Sequence, residues 1–272
     1  MNQVLADLHR ERQERAALAG SDFRVAVDGG RSIGVRVLEK HGESLGSSLW
    51  TSSEALARFL GMQIRELQAA RGGRQLRVLE LGCGIGLPGI LCALQGCQVT
   101  LTDQSEVLGI THKNVAANDI AHAVTVAELV WGSALPHSCA QADFDLVIGA
   151  DILYRSDQLD ALLHTLLQVS RPQTEVFLAY KQRIKSDERF FTAAARDFEI
   201  TTVWSEAGSV TAGPQELAAL ISLDNKSTSS SWPALSGTLG TSGDKGREDV
   251  GEWVSGATCR ILRFHRLPVS RA

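Results

Sequence analysis

The chain has 272 residues, of which 44% are hydrophobic and 21% are charged, and its net charge is −4. This is the composition of an ordinary globular protein, which excludes collagen-like, wholly disordered and coiled-coil chains. The 27 Lys and Arg residues are outnumbered by 31 Asp and Glu residues. Because the chain has no excess of basic residues to neutralise phosphates, no nucleic-acid partner is expected.

The apolar runs and the cysteines indicate in which cellular environment the protein is expected. No apolar run reaches the roughly 18 residues that a membrane-spanning helix needs, so no membrane partner is expected. The five cysteines include no C-x-x-C pair, which argues against a disulfide framework and against a zinc site. We therefore predict no bound metal and a reducing compartment, the cytoplasm, with the nucleus as the alternative.

The first part of the chain is predicted to be an extension. A charged helix is predicted over residues 2–19, ending at Gly20, and a β-hairpin follows around Asp28-Gly29-Gly30. A Gly/Ser-rich stretch then leads to Trp50. The sequence from Thr51 to Glu54 has the pattern of a capping box, which predicts that a helix begins there.

Short strands and helices alternate in the rest of the chain. Strands are predicted at 76–81, 98–102, 124–129, 144–150, 175–180 and 199–204. This alternation predicts an α/β fold with a doubly wound, mostly parallel sheet. Residues 224–251 are rich in Ser, Gly and Thr and are interpreted as a flexible insertion. A last strand at 259–265 is expected to form a closing edge hairpin with 199–204.

The strongest functional signal is E-L-G-C-G-I-G-L-P-G, residues 80–89, where a strand ends and a helix begins. Glycines allow a close approach of the backbone to a ligand, and the helix N-terminus supplies free N–H groups. Gly84, Gly86 and Gly89 match the dinucleotide fingerprint, and Asp103 ends the second strand, where a carboxylate can accept both ribose hydroxyls. This pairing fits NAD, and equally any other adenosine-containing ligand.

Three further features bear on which ligand binds. Glu80 lies two residues before the first glycine, where a buried carboxylate is costly unless a cationic ligand is its partner. Trp131 follows the third strand and can lie over or beside an adenine ring. Asp151 and Tyr154 follow the fourth strand, on the same carboxyl edge as Asp103.

The motifs E-L-G-C-G-I-G, T-L-T-D, N-V-A-A-N, L-V-W-G and G-A-D-I-L-Y together resemble those of seven-strand, S-adenosylmethionine-dependent methyltransferases. The D-x-x-Y element, with L-W-T-S-S-E-A-L-A-R-F-L upstream, is similar to the family-16 group that methylates protein lysines. The resemblance implies a Rossmann-like class I methyltransferase domain over 45–272, with 1–44 as its helix and hairpin extension. It implies S-adenosylmethionine as cofactor, and as substrate an accessible lysine of a non-histone protein such as a translation factor or chaperone. We expect the protein to be monomeric.

The resemblance also implies roles for individual residues. Asp151 and Tyr154 are the predicted catalytic residues: Asp151 flanks the methyl-donor site, and Tyr154 reaches the substrate side. The other residues are expected to bind the cofactor: they contact its methionine part, ribose or adenine, or form the wall of its site. They are Trp50, Glu80, Gly82, Cys83, Gly84, Asp103, Trp131 and Ala150.

Other functions stay open at this point. The fingerprint alone fits an NAD-dependent oxidoreductase, although no Tyr-x-x-x-Lys or equivalent acid–base set follows the fourth strand. A non-catalytic adenosine-binding or interaction module with the same fold is a further alternative. A small-molecule acceptor is also compatible with the motifs, because fold does not determine function.

Overall fold

The computed structural model describes residues 18–27, 30–40, 44–140, 142–182, 187–206 and 258–268. The predicted insertion at 224–251 and residues 2–17 of the predicted first helix lie outside the described residues. The end of that predicted helix is wrong, because residues 18–20 belong to strand β1, Leu18–Val27. Their backbone pairs antiparallel with strand β2, Arg31–Lys40, so that Leu18 lies opposite Lys40. Pairing across the hairpin therefore prevails over the local helical pattern.

The hairpin of β1 and β2 shares a hydrophobic core with the helix that follows, α1, Thr51–Ala70. Val25, Val35 and Val37 are fully buried in the same cluster as Leu56 of this helix. Alternate residues of a strand face the same side, and here that side of the hairpin is apolar. The hairpin is thus packed into the fold, while the boundary between 1–44 and 45–272 stays a prediction.

Helix α1 begins one residue earlier than the predicted capping box requires. Trp50 is the N-cap residue, and it makes no side-chain capping bond. Its carbonyl oxygen accepts hydrogen bonds from the N–H groups of Ser53 and Glu54 at 3.0 and 3.2 Å. Since Thr51 is already helical, the predicted cap at Thr51 is wrong.

The remaining strands form one sheet of seven. They are β3 Arg77–Leu81, β4 Gln98–Asp103, β5 Val124–Glu128, β6 Leu146–Ala150, β7 Glu175–Tyr180, β8 Phe198–Ser205 and β9 Arg260–Arg266. Their order is β5-β4-β3-β6-β7-β9-β8. The first five are mutually parallel, and β9 is antiparallel to both of its neighbours. The predicted pairing of the last strand with 199–204 is confirmed, but β9 lies inside the sheet and β8 forms its edge.

Helices cover both faces of this sheet, as a doubly wound fold requires. The further helices are α2 Leu87–Leu94, α3 Leu108–Ala117, α4 His137–Ala140, α5 Leu159–Val169 and α6 Glu188–Ala194. Successive strand residues point to opposite faces: Val78 belongs to the core under α1, α2 and α3, and Leu79 belongs to the core under α5 and α6. This double burial explains why the parallel strands are nearly continuous apolar runs.

The strand order reverses between β3 and β6. From β3 the chain proceeds outward to β4 and β5, and then returns to place β6 on the other side of β3. In open α/β sheets, ligands bind outside the carboxyl ends of the strands at such a switch point. The topology therefore directs attention to the loops after β3 and β6, which contain Gly82–Gly86 and Asp151.

Candidate active site

A cavity of about 270 Å³ opens at this carboxyl edge. Its lining comes from the segment before α1, from the loops after β3, β4 and β5, and from the loop after β6. The predicted site residues that line it are Trp50, Gly82, Cys83, Gly84, Asp103, Trp131, Ala150, Asp151 and Tyr154. The tertiary structure thus brings together the predicted residues of five separate segments, and Glu80 is the exception.

The backbone of the cofactor loop, which we define as residues 82–86, adopts conformations that favour glycine. Gly82 and Gly84 have φ angles of 58° and 54°. A Cβ atom on Gly84 would lie 2.8 Å from the carbonyl oxygen of Gly46, which belongs to the segment before α1. A Cβ atom on Gly82 would lie 2.8 Å from the side chain of Ile152. The absence of side chains at these two positions leaves the backbone of the loop as a wall of the cavity.

Asp103 connects the end of β4 with the cofactor loop. Its Oδ2 accepts a hydrogen bond from the N–H of Gly84, and its Oδ1 accepts one from the N–H of Gln104, both at 2.8 Å. Burial raises the pKa of this carboxyl above its ordinary value, while the two N–H donors oppose the rise. A carboxylate has about four acceptor positions, so Asp103 retains capacity for ribose hydroxyls.

Glu80 has a different partner from the predicted one. Its side chain is 1% exposed, and its Oε2 accepts a hydrogen bond from the N–H of Gly89 in α2 at 2.9 Å. Burial raises its pKa to about 8, although the Gly89 N–H acts in the opposite direction. The carboxyl group lies beneath the first turn of α2 and outside the cavity lining, because β3 directs this side chain under the helix. Direct contact of Glu80 with the cofactor therefore stays a prediction without support from this geometry.

Cys83 contributes backbone rather than a reactive thiol. Its side chain is 5% exposed, and its sulfur lies 3.8 Å from the hydroxyl of Thr111. Burial, and then the charges of Asp103 and Glu80, raise the pKa of the thiol well above its ordinary value. Because the thiolate is the reactive form, this environment disfavours a nucleophilic role.

Trp50 is held over one side of the cavity by its own segment. Its indole N–H donates to the carbonyl oxygen of Leu45 at 2.9 Å. Leu45 lies in a short 3₁₀ turn, Leu45–Ser47, and lines the same cavity. From β2, the Glu39 carboxylate accepts a hydrogen bond from the N–H of Leu49. The segment before α1 is thus fixed at both its turn and its end.

Asp151 stands in an unusual backbone conformation. It directly follows β6, and its φ angle is 56°, in the left-handed region that few residues other than glycine adopt. Its N–H donates to the carbonyl oxygen of Ala179 at 2.9 Å, which holds the turn against β7. Such strained positions cluster at functional sites. The conformation therefore supports the functional role that the motif predicts for Asp151.

Tyr154 presents a protonated phenol to the cavity. Burial, and then the carboxylate of Asp103, raise its pKa above the ordinary value, and Asp157 and Asp151 act in the same direction. The adjacent Arg155 guanidinium opposes the rise. At neutral pH the hydroxyl can therefore donate one hydrogen bond and accept others, and it does not serve as a base.

Sequence reasoning missed several residues of this cavity. Ile152, inside the D-x-x-Y element, is 5% exposed and packs against Gly82. Glu106 and Gln158 also line the cavity, although both stand in ordinary polar turns of the sequence. A signal for Glu106 was its place three residues after Asp103, at the same sheet edge. For Gln158 the sequence contains no such signal, because its position depends on the turn between β6 and α5.

The charged side chains that line the cavity among the described residues are all acidic, namely Asp103, Glu106 and Asp151. Carboxylates favour a cationic ligand and disfavour an anionic one. These acidic acceptors therefore suit the sulfonium and ribose of S-adenosylmethionine better than the pyrophosphate of a dinucleotide.

The strand order, the glycine loop after β3 and the acid at the end of β4 define a Rossmann-like α/β methyltransferase. The model of the lysine methyltransferase family matches residues 31–197, and the chain belongs to this family. Membership confirms the predicted enzyme class, a protein-lysine N-methyltransferase, and the predicted cofactor, S-adenosylmethionine.

Curated relatives agree with this family. The chain is 35% identical over 203 residues to protein N-lysine methyltransferase METTL21A of Danio rerio, covering 74% of this chain and 84% of the relative. It is 31% identical to EEF1A lysine methyltransferase 3 of Xenopus tropicalis, covering 67% and 74%. Protein-lysine N-methyltransferase EFM6 of Saccharomyces cerevisiae is 29% identical, covering 62% and 77%. The names of all three relatives describe lysine methyltransferases that act on proteins.

Proposed function

We propose that the cavity at the switch point binds S-adenosylmethionine and directs its methyl group to a lysine side chain of a protein substrate. The observation that carries the proposal is the convergence of the glycine loop, Asp103, Asp151 and Tyr154 on one acid-lined cavity. In this assignment the backbone of Gly82 and Gly84 faces the methionine part of the cofactor. Asp103 accepts the ribose hydroxyls, and Trp131 lies beside the adenine.

The acceptor side of the cavity is assigned to Asp151 and Tyr154. When bound, S-adenosylmethionine supplies an electrophilic methyl group on a positively charged sulfur. A free lysine side chain has a pKa of about 10.4 and becomes a nucleophile only after it loses a proton. Burial of the amine in the cavity disfavours its charged form, while the Tyr154 hydroxyl can accept an N–H hydrogen bond and hold the lone pair in line. Asp151 can orient the same amine or the cofactor.

The compartment and the partners belong to this proposal. All five cysteines are free and buried, which supports the cytoplasm, with the nucleus as the alternative. No helix among the described residues is long and apolar enough to cross a membrane. The large exposed hydrophobic residues of the described part are scattered over separate elements, which supports a monomer: Leu45, Met62, Val130 and Leu267. The substrate is a non-histone protein, and the relative named for EEF1A supports a substrate of that kind.

Calorimetric titration with S-adenosylmethionine and with NAD tests the cofactor assignment. We expect saturable binding of S-adenosylmethionine and none of NAD at the same concentrations. Incubation with a labelled methyl donor and a cell lysate, followed by mass spectrometry, tests the acceptor. We expect label on lysine of one or a few proteins. Binding without transfer to any protein would instead favour the non-catalytic adenosine-binding module.

A further inference from the structure

Two side chains of helix α3 hold the backbone of the cofactor loop. The Thr111 hydroxyl donates to the carbonyl oxygen of Gly84 at 2.7 Å. The Asn114 Nδ2 donates to the next carbonyl oxygen, that of Ile85, at 2.8 Å. The two side chains stand three residues apart on one face of the helix, and both are fully buried and outside the cavity lining. They therefore act on the loop from outside the cavity.

Asn114 also binds the N-terminal hairpin. Its Oδ1 accepts a hydrogen bond from the N–H of Leu38 at 2.7 Å, and its Nδ2 donates to the carbonyl oxygen of Leu38 at 3.1 Å. One amide group therefore joins α3, strand β2 and the cofactor loop. Because the residues lie far apart in the chain, this junction exists only in the folded protein.

Asn118, the C-cap residue of α3, repeats only part of this arrangement. Its Oδ1 accepts from the N–H of Arg36 at 2.8 Å, and its Nδ2 donates to the carbonyl oxygen of Arg36 at 2.7 Å. Its remaining contact is with the carbonyl oxygen of Asn114, at 2.8 Å. Asn118 thus tethers the hairpin as Asn114 does, but its side-chain hydrogen bonds go to Arg36 and Asn114 and not to the cofactor loop, which makes it a matched comparison.

The loop needs such support because glycine is the residue that loses most conformational freedom on ordering. Gly82, Gly84 and Gly86 all have left-handed φ angles, and ordering three glycines in one short loop carries a high entropic cost. A peptide unit is planar and trans, so a fixed carbonyl of Gly84 also fixes the direction of the Ile85 N–H. Both residues line the cavity. Ordering the loop before the ligand arrives removes part of the cost of binding.

We propose that Thr111 and Asn114 are positioning residues that pre-order the cofactor loop, and that Asn114 makes strand β2 a part of the cofactor site. This inference rests on the proposed role of the loop in binding S-adenosylmethionine. It gives the N-V-A-A-N motif a function that its position near a helix end does not suggest. Through Glu39, the same strand also holds the segment that carries Trp50, so β2 supports two walls of the cavity.

Four variants test the proposal by calorimetric titration with S-adenosylmethionine and by thermal unfolding. Thr111→Val removes the hydroxyl at nearly constant volume, and Thr111→Ser restores it. Asn114→Ala removes the contacts to the loop and to the hairpin, whereas Asn118→Ala removes contacts to the hairpin. We expect Thr111→Val and Asn114→Ala to raise the dissociation constant about tenfold, because binding must then also order the loop. Thr111→Ser and Asn118→Ala should bind within about twofold of the wild type.

Amide hydrogen exchange of the cofactor-free protein supplies a second readout. Thr111→Val should accelerate exchange at the N–H groups of residues 84–86 and leave those of β2 unchanged. The proposal would be overturned if all four variants bound S-adenosylmethionine as tightly as the wild type and Thr111→Val left amide exchange at residues 84–86 unchanged. An equal loss for Asn114→Ala and Asn118→Ala would mean that tethering the hairpin alone matters. If the wild type bound no S-adenosylmethionine, the proposed function would fail, and the exchange experiment would still decide whether α3 orders the loop.

Discussion

The Asp103 carboxylate accepts a hydrogen bond from the N–H of Gly84 at 2.8 Å. The acid at the end of β4 therefore has two roles in the proposed site: it offers acceptors for ribose and it fixes the loop after β3. The carbonyl of Gly84 is held by Thr111 from α3. Gly84 is thus fixed on both sides, by the last residue of β4 and by a side chain of α3, which couples ribose recognition to the position of the proposed methionine-binding backbone.

Replacement of Asp103 tests this double role. We expect Asp103→Ala to weaken S-adenosylmethionine binding by about 1.5–3 kcal/mol, the scale of hydrogen bonds to a charged group. Glu128→Ala is the matched control, because Glu128 pairs with Asp103 across the sheet but is exposed and outside the cavity lining. Calorimetry on both folded variants is the measurement. An unchanged affinity of Asp103→Ala would refute the assigned role.

Tyr154→Phe tests the acceptor side of the cavity. The change removes the hydroxyl and leaves the ring, so S-adenosylmethionine binding should stay within about twofold of the wild type. Methyl transfer should fall, because misplacement of the acceptor by about 1 Å can cost a hundredfold in rate. The measurement is label transfer to the identified protein substrate at saturating cofactor. Near-normal transfer would remove the main residue-level support for lysine as the acceptor.

The comparison with Asp151 sharpens this test. Asp151→Asn keeps a residue that tolerates a positive φ angle and removes the charge, whereas Asp151→Ala also adds backbone strain. Because Asp151 lines the same cavity as the cofactor loop and Tyr154, both variants should impair cofactor binding as well as transfer. Asp151→Ala should in addition lower the melting temperature. Intact cofactor binding in Asp151→Asn would confine the role of Asp151 to the acceptor.

The buried carboxyl group of Glu80 predicts a pH dependence of stability. Its pKa is raised from 4.5 to about 8 in the folded protein, so the unfolded state releases this proton at lower pH than the folded state. Because the folded state binds this proton more tightly, the protonated carboxyl group adds to the free energy of unfolding. This contribution is fully present below about pH 4.5 and is lost as pH rises toward 8. The slope is about 1.4 kcal/mol per pH unit inside this window.

Glu80→Gln isolates this contribution, because an amide oxygen can still accept the Gly89 N–H and does not ionise. We expect the variant to gain stability relative to the wild type between pH 5 and pH 7.5, by about 2–4 kcal/mol in total. Urea unfolding of both cofactor-free proteins across this range is the measurement. A constant difference at all pH values would mean that Glu80 ionises normally in the folded protein.

Replacement of Gly89 by alanine is expected to disrupt the packing of α2 on the sheet. A Cβ atom there would lie 2.4 Å from the Leu101 side chain and 2.6 Å from the Glu80 carboxyl oxygen, so α2 could not stay as close to the sheet. Gly89→Ala should destabilise the protein by about 1–3 kcal/mol, the usual cost of overpacking. Gly109→Ala in α3 is the control, because a Cβ atom there meets nothing within 4 Å and alanine favours a helix. Thermal unfolding should separate the two, and equal melting temperatures would contradict the packing argument.

Much of the fold and of the candidate site was predictable from local patterns. The apolar runs of β3, β6 and β7 reflect burial on both faces of the sheet, and the glycines after β3 reflect left-handed backbone at 82, 84 and 86. Such features depend on the residues themselves and on their near neighbours in the chain. The strand–loop–helix order then placed Asp103, Trp131, Asp151 and Tyr154 at one edge, because the carboxyl ends of parallel strands meet there.

The sequence by itself thus determined the α/β class, the location of the cofactor loop and the family resemblance. Only the tertiary structure decided which partner each buried polar group has. Glu80 binds the N–H of Gly89, and Asn114 binds Leu38, which lies 76 residues away in the chain. Residues 18–20 form a strand because they pair with β2, against their local helical pattern. Periodicity encodes which face of an element is buried, whereas a hydrogen-bond partner is set by the approach of distant segments, which no local pattern specifies.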